Sequence, residues 1–408
     1  MRAARFLVDN APWLGAGFAV SALSTFGQTS FISVFAGDLI RGHGLTQGGW
    51  AAIYAVGTTA SAAIMVWAGA LADRVPLARL TGWSLAGLAL ACLGMAAAPG
   101  AWALPLLVLM LRLFGQGMMS HVASVATARW FVASRGKALA VTALGFAAGQ
   151  ATVPLAFTAL LGRMPTAVLW TLSAAVCLAA IWPLGRLISR ERIPEGTASS
   201  GTDASAGIGG RHWTRAEALR TALFWGLMPA LLGSPAFGTA FLFFQEHLPE
   251  AKGWSQVGFV ALFPVLMGVS VASTFVTGAL IDRLGAARLL PFTLLPMTAG
   301  FLLLAWAPTL AWAAPAAALL GLTQGALNTV PVAMWAELYG TRHLGAIKAV
   351  AVAVMVFATA SGPFVVGSLV DRGVDFPAQM PWISAYLAAS ALLAAGVLRA
   401  ARTRLIPA

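Results

Sequence analysis

The chain has 408 residues, of which 59% are hydrophobic and only 9% are charged. Soluble domains average about 25% charged residues, so these side chains cannot cover a water-exposed surface. The mean hydropathy of +0.84 agrees with that reading. The composition excludes a soluble globular protein and predicts an integral membrane protein.

Stretches without Asp, Glu, Lys or Arg predict the number of membrane spans, because a helix needs about 20 apolar residues to cross the hydrocarbon core. Eight of them have the length of one span: 10–37, 42–72, 138–162, 164–185, 221–245, 253–281, 349–370 and 376–398. Two further stretches, 80–128 and 289–336, are about twice that length and contain Arg112 as their single charge. Breaks near Pro99 and Pro308 predict that each forms a helical hairpin. The sequence therefore predicts twelve transmembrane helices, numbered here as spans 1 to 12.

The basic residues predict the orientation of these spans in the membrane, since cytoplasmic loops carry an excess of Lys and Arg. Twenty of the 25 basic residues fall in the two termini and in the loops that follow even-numbered spans. Four lie on the opposite side: Arg41, Arg163, Lys252 and Arg372. Both termini are therefore expected in the cytoplasm. Orientation also accounts for the net charge of +12, so no nucleic-acid partner is expected.

The two halves of the chain repeat each other. Gly-Ala-Leu-Ala-Asp-Arg at 69–74 recurs as Gly-Ala-Leu-Ile-Asp-Arg at 278–283, an offset of 209 residues. The same offset relates Arg79 to Arg288 and Pro154 to Pro363. This parallel repeat predicts an all-α membrane protein with two pseudo-symmetric six-helix bundles, at 1–187 and 218–408. A polar cytoplasmic linker, 188–217, joins them and ends in a capping box that starts at Thr214.

The repeated motif resembles the loop signature of the major facilitator superfamily, Gly-x-Leu-x-Asp-Arg-x-Gly-x-x-(Arg/Lys), and the resemblance extends over essentially the whole chain. The first copy has Pro76 where the signature prefers Gly, whereas the second copy has Gly285. The resemblance implies transport by alternating access, in which two halves rock around a site near the midplane. An acid at a helix end can pair with Arg or with a helix N-terminus when one side closes. The implied gating residues are Asp73, Arg74, Arg79, Asp282, Arg283 and Arg288.

A narrower resemblance concerns the start of span 5. Trp-Phe-Val-Ala-Ser-Arg-Gly-Lys-Ala at 130–138 is similar to the span-5 entry of the monocarboxylate and oxalate/formate branch, and 337–348 is its counterpart before span 11. It adds Arg135 and Arg342 to the gating set. However, 255–281 contains no charge and span 11 has no central Lys, so monocarboxylate specificity does not follow from this resemblance.

Arg112 is the charge that lies deepest in the predicted membrane. It is about 12 Å from the outer end of span 4, in a hydrocarbon core about 30 Å thick. A guanidinium group stays protonated and presents a planar fork that suits carboxylate, sulfonate or phosphate. Arg112 is therefore predicted to bind an anionic substrate. The alternative is that it couples conformational change, as the resemblance implies for a span-4 Arg followed by glycines.

Neutral polar residues near the midplane are the predicted companions of Arg112. At about 100° per residue, Gln116 shares the face of Arg112 and His121 points away from it. The other candidate substrate-binding residues are Thr25 and Gln28 in span 1, Phe241 in span 7, and Gln324 and Asn328 in span 10. One Arg among neutral groups fits a small, singly charged anion better than a sugar or a polyanion. Each amide could equally tie two helices together.

The predicted spans contain no Asp or Glu at their centres, which disfavours carriers of organic cations. Candidates for proton coupling lie nearer the membrane edges and are Asp38, His121 and Glu337. No catalytic constellation, phosphate-binding loop or metal cluster is recognisable, so we expect neither an enzyme nor a cofactor.

These observations predict a monomeric transporter of a small organic anion in a bacterial cytoplasmic (inner) membrane, with protons as a candidate coupling ion. The bacterial source is inferred from short loops and from the use of 22 Arg against three Lys. Two alternatives remain. The first is an efflux carrier for neutral or amphipathic compounds, and the second is a membrane sensor or scaffold that kept the fold without transport.

Overall fold

The computed structural model describes residues 2–97, 100–131, 134–190 and 206–405, and all regular elements in these ranges are helices. The chain separates into two compact units, Met1–Ser200 and Gly201–Ala408. Within these ranges, eleven helices are long and apolar enough to cross a membrane, and one bent helix pair, taken as a single span, makes the twelfth. The predicted all-α class is confirmed. Of the predicted linker, 191–205 lies outside the described residues, and the bounds of the two bundles stay a prediction.

The first unit contains spans 1 to 6, preceded by a short helix, Arg2–Asp9. The spans are Ala11–Gly27 with Thr29–His43, Gln47–Arg74, Leu77–Ala97, Ala101–Trp130, Arg135–Leu161 and Thr166–Ile188. Span 3 ends at Ala97 and span 4 begins at Ala101, while the predicted break at Pro99 lies outside the described residues. Charge-free stretches thus located the membrane helices of this half closely.

The second unit contains spans 7 to 12: Ala222–Phe243, Gln256–Leu284, Ala286–Trp306, Leu310–Tyr339, Leu344–Val370 and Phe376–Ala401. The helix of span 12 continues to Leu405. Outside the spans lie a 3₁₀ turn, Ile208–Gly210, and two short helices, Arg215–Leu219 and His247–Ala251.

The capping box expected at Thr214 opens the first of these short helices. The Thr214 amide donates to Glu217 Oε2 at 2.7 Å, and the Glu217 amide donates to Thr214 Oγ1 at 3.4 Å. The hydrogen bonds from the backbone and hydroxyl of Thr214 hold the pKa of Glu217 below its ordinary value, because they stabilise the carboxylate.

Close backbone contacts through glycine join the spans of the first unit. A Cβ on Gly145 would lie 2.2 Å from Phe18 O, and one on Gly115 would lie 2.5 Å from Gly27 Cα. Spans 5 and 4 therefore touch span 1 backbone to backbone, as small residues allow in membrane helices. Edge-to-face aromatic contacts add to this packing, with the Phe31 ring 5.1 Å from Phe157 and 5.4 Å from Trp170 between centroids.

The structure corrects two assumptions made from the sequence. Span 1 is not one continuous helix over 10–37, because it bends by 47° where Gln28 adopts an extended backbone with φ −85° and ψ 155°. Span 4 is not α-helical throughout, because Leu111–Met119 is a π-helix. A π-helix forms i→i+5 hydrogen bonds, so the count of 100° per residue used to relate Gln116 and His121 to Arg112 is wrong there.

Candidate functional site

Arg112 is buried in the first unit, with 3% of its surface exposed. Its Nη1 donates to Gly27 O and to Thr29 Oγ1, at 3.3 Å in each case. Its Cζ lies 5.3 Å from the centroid of the Tyr54 ring in span 2, within the range of a cation–π contact. The guanidinium is thus held by the two sides of the break in span 1 and by one aromatic face.

The break at Gln28 explains why a backbone carbonyl is available to Arg112. In an uninterrupted α-helix, Gly27 O would accept the amide hydrogen of Phe31. Here the amides of Phe31 and Ile32 both donate to Gln28 O, at 3.1 Å. Gly27 O is therefore released from the helix ladder, and a buried carbonyl of this kind requires another donor. Arg112 supplies that donor.

No carboxylate of the described residues forms an ion pair with Arg112. The groups that contact its guanidinium are neutral and do not compensate its positive charge. Within the same part of the chain, Arg112 Nε has no hydrogen-bond partner, and neither do the buried Thr25 Oγ1 and Gln116 Oε1. A buried charge without a counter-charge costs several kcal/mol by most estimates. The site therefore has the capacity to bind an anion.

The sequence did not predict several polar residues at and around the break in span 1. The hydroxyls of Thr29 and Tyr54 are hydrogen-bonded to each other, and Ser30 donates to Gln150 Oε1. The predicted Thr25 lies inside the 3₁₀ turn Ser24–Gly27 and is fully buried, packed against Gly149, while Gln28 forms the bend. A signal was present, since Tyr54 is one of only three tyrosines and lies in the middle of span 2.

The second unit contains a cavity of about 200 Å³ that brings three predicted residues together: Phe241, Gln324 and Asn328. Asn328 Nδ2 donates to Thr274 Oγ1 at 3.4 Å. The remaining lining is neutral and largely apolar, and consists of Ser234, Pro235, Gly238, Thr239, Leu242, Leu266, Met297, Leu320, Leu327 and Met355. The cavity can therefore hold an uncharged molecular fragment, with hydroxyl and amide groups available to orient it.

The two acids of the predicted gate have different surroundings. Asp73 Oδ1 accepts a hydrogen bond of 2.7 Å from Arg129, an exposed ion pair within the first unit that the sequence did not suggest. No partner for Asp282 was identified among the described residues. The other predicted gating residues are also exposed at helix ends: Arg74, Arg79, Arg135, Arg283, Arg288 and Arg342.

The candidates for proton coupling each have a local partner. Asp38 pairs with Arg41 at 2.7 Å and accepts a hydrogen bond from Thr166. His121 Nε2 lies 3.1 Å from Gly69 O, at the end of span 2, rather than beside Arg112. Glu337 Oε2 accepts from the amide of Ala287 at 3.1 Å, at the start of span 9.

Comparison with known proteins agrees with this architecture. The profile of the Major Facilitator Superfamily matches residues 17–345 and 267–407. No curated protein matches the sequence. Among solved structures, a bacterial homolog of the human lysosomal transporter Spinster, inward-facing and occupied, aligns with a TM-score of 0.71 at 15% identity over 96% of each chain. The nucleoside transporter NupG aligns with a TM-score of 0.68 at 12% identity, over 97% of this chain and 99% of that one.

The structural likeness at these identities concerns the fold, while the profile match extends over most of the chain. Neither comparison identifies a substrate. The chain belongs to the major facilitator superfamily and is a multi-pass membrane transporter, not an enzyme.

Proposed function

We propose that this transporter carries a small, singly charged organic anion by alternating access, with Arg112 as the anion contact. The observation that carries the proposal is the buried guanidinium, which is bonded to Gly27 O and Thr29 Oγ1 and is not ion-paired within the described residues. A carboxylate or sulfonate would accept from the guanidinium in a bidentate manner and would supply the missing negative charge. The bond to Gly27 O fixes the side chain before the ligand arrives.

The cavity of the second unit suits the uncharged part of such a substrate. None of its lining residues is charged, and Gln324 and Asn328 offer amide groups among apolar side chains. Its volume of about 200 Å³ is below the range of about 300–1,000 Å³ found for pockets that enclose drug-sized ligands. We propose that Phe241, Gln324 and Asn328 contact the uncharged part of a small substrate, and that Thr25, Gln28 and Gln116 contribute polar groups near Arg112.

The remaining parts of the proposal concern coupling and location. We place the protein as a monomer in a bacterial inner membrane. The distribution of the basic residues supports a cytoplasmic position for both termini. Proton symport is proposed to use Asp38, His121 or Glu337, which are titratable groups of spans 1, 4 and 10 that lie nearer the membrane edges than the midplane. The exposed acids and arginines of the repeated motif are proposed to form the gate.

A thermal-shift screen of the detergent-purified protein tests the anion proposal. Ligands that bind only the folded state raise the melting temperature. We expect one class among monocarboxylates, dicarboxylates and sulfonates to stabilise the native protein and not Arg112→Gln, whereas Arg112→Lys should retain part of the effect. Arg186→Gln is the matched control, because Arg186 stacks on Trp182 with Cζ 4.3 Å from the ring centroid. Uptake into proteoliposomes should follow the same order.

The second candidate is an efflux carrier for neutral or amphipathic compounds, which the largely apolar cavity of the second unit favours. It predicts that amines or neutral compounds stabilise the native protein and Arg112→Gln equally, and that anions have no effect. That outcome would assign Arg112 to the conformational machinery and would remove the anion proposal.

A further inference from the structure

A groove of about 570 Å³ lies between spans 9 and 12 of the second unit, apart from the cavity described above. Alanines on span 12 form its floor: Ala388, Ala391 and Ala395. Its walls are Pro291, Phe292, Leu295, Leu392 and Leu398. Phe292 and Leu392 are 66% and 75% exposed. Apolar side chains that are exposed in this way on a membrane helix face lipid.

The length of the groove matches one leaflet of a bilayer. The residues of span 12 that line it recur at i, i+3, i+4, i+7, i+10 and i+11 from Ala388, which places them on one helical face. Ala388 and Arg399 are 11 residues apart, which corresponds to about 16 Å of helix and thus to about half of a hydrocarbon core of about 30 Å. An acyl chain of a single leaflet fits this length.

The groove is charged at one end only. Arg288 lies in the first turns of span 9 and Arg399 in the last turns of span 12, and both line the groove. Spans 9 to 12 cross the membrane four times. Span 12 therefore ends on the membrane face at which span 9 starts. Two arginines therefore line the groove at the same membrane surface, and the rest of its lining is apolar.

We infer that this groove binds an anionic phospholipid, with the phosphate between Arg288 and Arg399 and one acyl chain along the alanine floor. Basic pockets between membrane helices are a known way to hold anionic headgroups, and guanidinium recognises phosphate through paired hydrogen bonds. The apolar length of the groove favours a lipid over free phosphate, which would use only its charged end. This inference does not depend on the proposed substrate.

Native mass spectrometry of the full-length, detergent-purified protein tests the inference. The protein is titrated with phosphatidylglycerol or phosphatidylcholine of identical chains, and the bound lipid is counted. We expect phosphatidylglycerol to bind more tightly by about fivefold for each arginine, the difference that one basic residue near an anionic membrane surface provides. Equal retention of the two lipids would overturn the inference.

Two variants locate the lipid. Arg288→Gln with Arg399→Gln should remove the preference for phosphatidylglycerol, whereas the control Arg220→Gln, an exposed arginine of the same unit, should keep it. Ala391→Phe fills the floor without changing charge and should reduce retention of both lipids. Unchanged binding in either groove variant would overturn the inference, as would displacement of the lipid by millimolar inorganic phosphate. The comparison of lipids on the unaltered protein remains decisive if a variant does not fold.

Discussion

The carbonyl oxygen of Gly27 can hold Arg112 because a glycine at this position lets span 1 approach span 4 closely. A Cβ on Gly27 would lie 2.1 Å from Leu111 O and 2.6 Å from Gly115 Cα. Both obstructing atoms belong to the backbone, so no side-chain rotation relieves the clash. Any substitution that adds a Cβ must move the two spans apart, and with them the two atoms of the bond from Arg112 to Gly27 O.

We expect Gly27→Ala to lower stability by about 1–3 kcal/mol, the usual cost of overpacking a close contact, and to weaken anion binding as Arg112 loses its support. The melting temperature in detergent and the ligand-induced shift measure the two effects. Gly268→Ala is the control, because Gly268 lies inside span 8 with no atom within 4 Å of an added Cβ. That variant should gain up to about 1 kcal/mol from reduced chain entropy. Equal melting of the two variants would contradict the close contact.

For individual residues, the sequence predicted the buried charge of Arg112 but not the residues that contact it. Arg112 was identified because a lone charge interrupts a long apolar stretch. Gly27 and Thr29 became its partners only through the extended backbone of Gln28, and nothing in the spacing of charges reveals a bend inside an apolar span. Tyr54 was missed because it belongs to another helix, and contacts between helices depend on rotations that the sequence does not specify.

Among the elements, the two copies of the repeated motif end their helices differently. In the second copy, Gly285 has φ +81°, a conformation that side chains disfavour, and it ends span 8 directly before span 9 begins. Glu337 then accepts from the amide of Ala287 and caps the new helix. In the first copy, Pro76 occupies the equivalent position, and Asp73 pairs with Arg129 instead. One sequence motif therefore supports two local structures.

Two substitutions of Glu337 distinguish the hydrogen bond that it accepts from the Ala287 amide from the effect of its negative charge. Glu337→Gln keeps an oxygen that can accept from the Ala287 amide and should cost about 0.3–1 kcal/mol, the contribution of a carboxylate near a helix N-terminus. Glu337→Ala removes the acceptor as well and should cost more, up to about 2 kcal/mol. Melting temperatures of the two variants should therefore rank Gln above Ala. Loss of the pH dependence of transport in Glu337→Gln would additionally assign proton coupling to this residue.

Helix positions were more predictable than helix geometry. Each of the eight single-length stretches corresponds to one span and each of the two double-length stretches to two, since burial in lipid requires apolar side chains over a fixed length. The 47° bend and the π-helix were not predicted, because they change hydrogen bonding within a span and leave its composition unaltered. Gly115 and Gly117 lie inside the π-helix and are the glycines that follow the span-4 Arg, but that pattern does not specify a π-helix.

For the whole molecule, the two copies of the repeat have the same number of membrane helices but different side chains at equivalent positions inside them. The position equivalent to Arg112 in the second half is Gly321, where a Cβ would lie 2.4 Å from Leu266 O. Spans 8 and 10 touch there, so an arginine could not replace the glycine without separating them. The deep positive charge is thus confined to one copy, and the second copy uses the space between its helices for a neutral cavity.

The orientation of the whole chain is testable with introduced cysteines. The native Cys92 and Cys177 are both buried, so they should not react with a membrane-impermeant maleimide. We expect Ala251→Cys, between spans 7 and 8, to be labelled in intact cells, and Ala206→Cys, before span 7, to be labelled only after the cells are broken. Both positions are exposed. The reverse labelling pattern would mean that the basic residues had been assigned to the wrong side.

The π-helix in span 4 allows part of this helix to rotate and lengthen if it changes to α-helical hydrogen bonding. Its nine residues form i→i+5 hydrogen bonds, and the acceptor for an α-helical hydrogen bond is one residue nearer in each case. Rewinding one turn to α geometry would rotate and displace all that follows, down to Arg129, while Arg112 at the start kept its place against Gly27. Span 4 could thus convert a change at one end into a twist at the other with no movement of a loop.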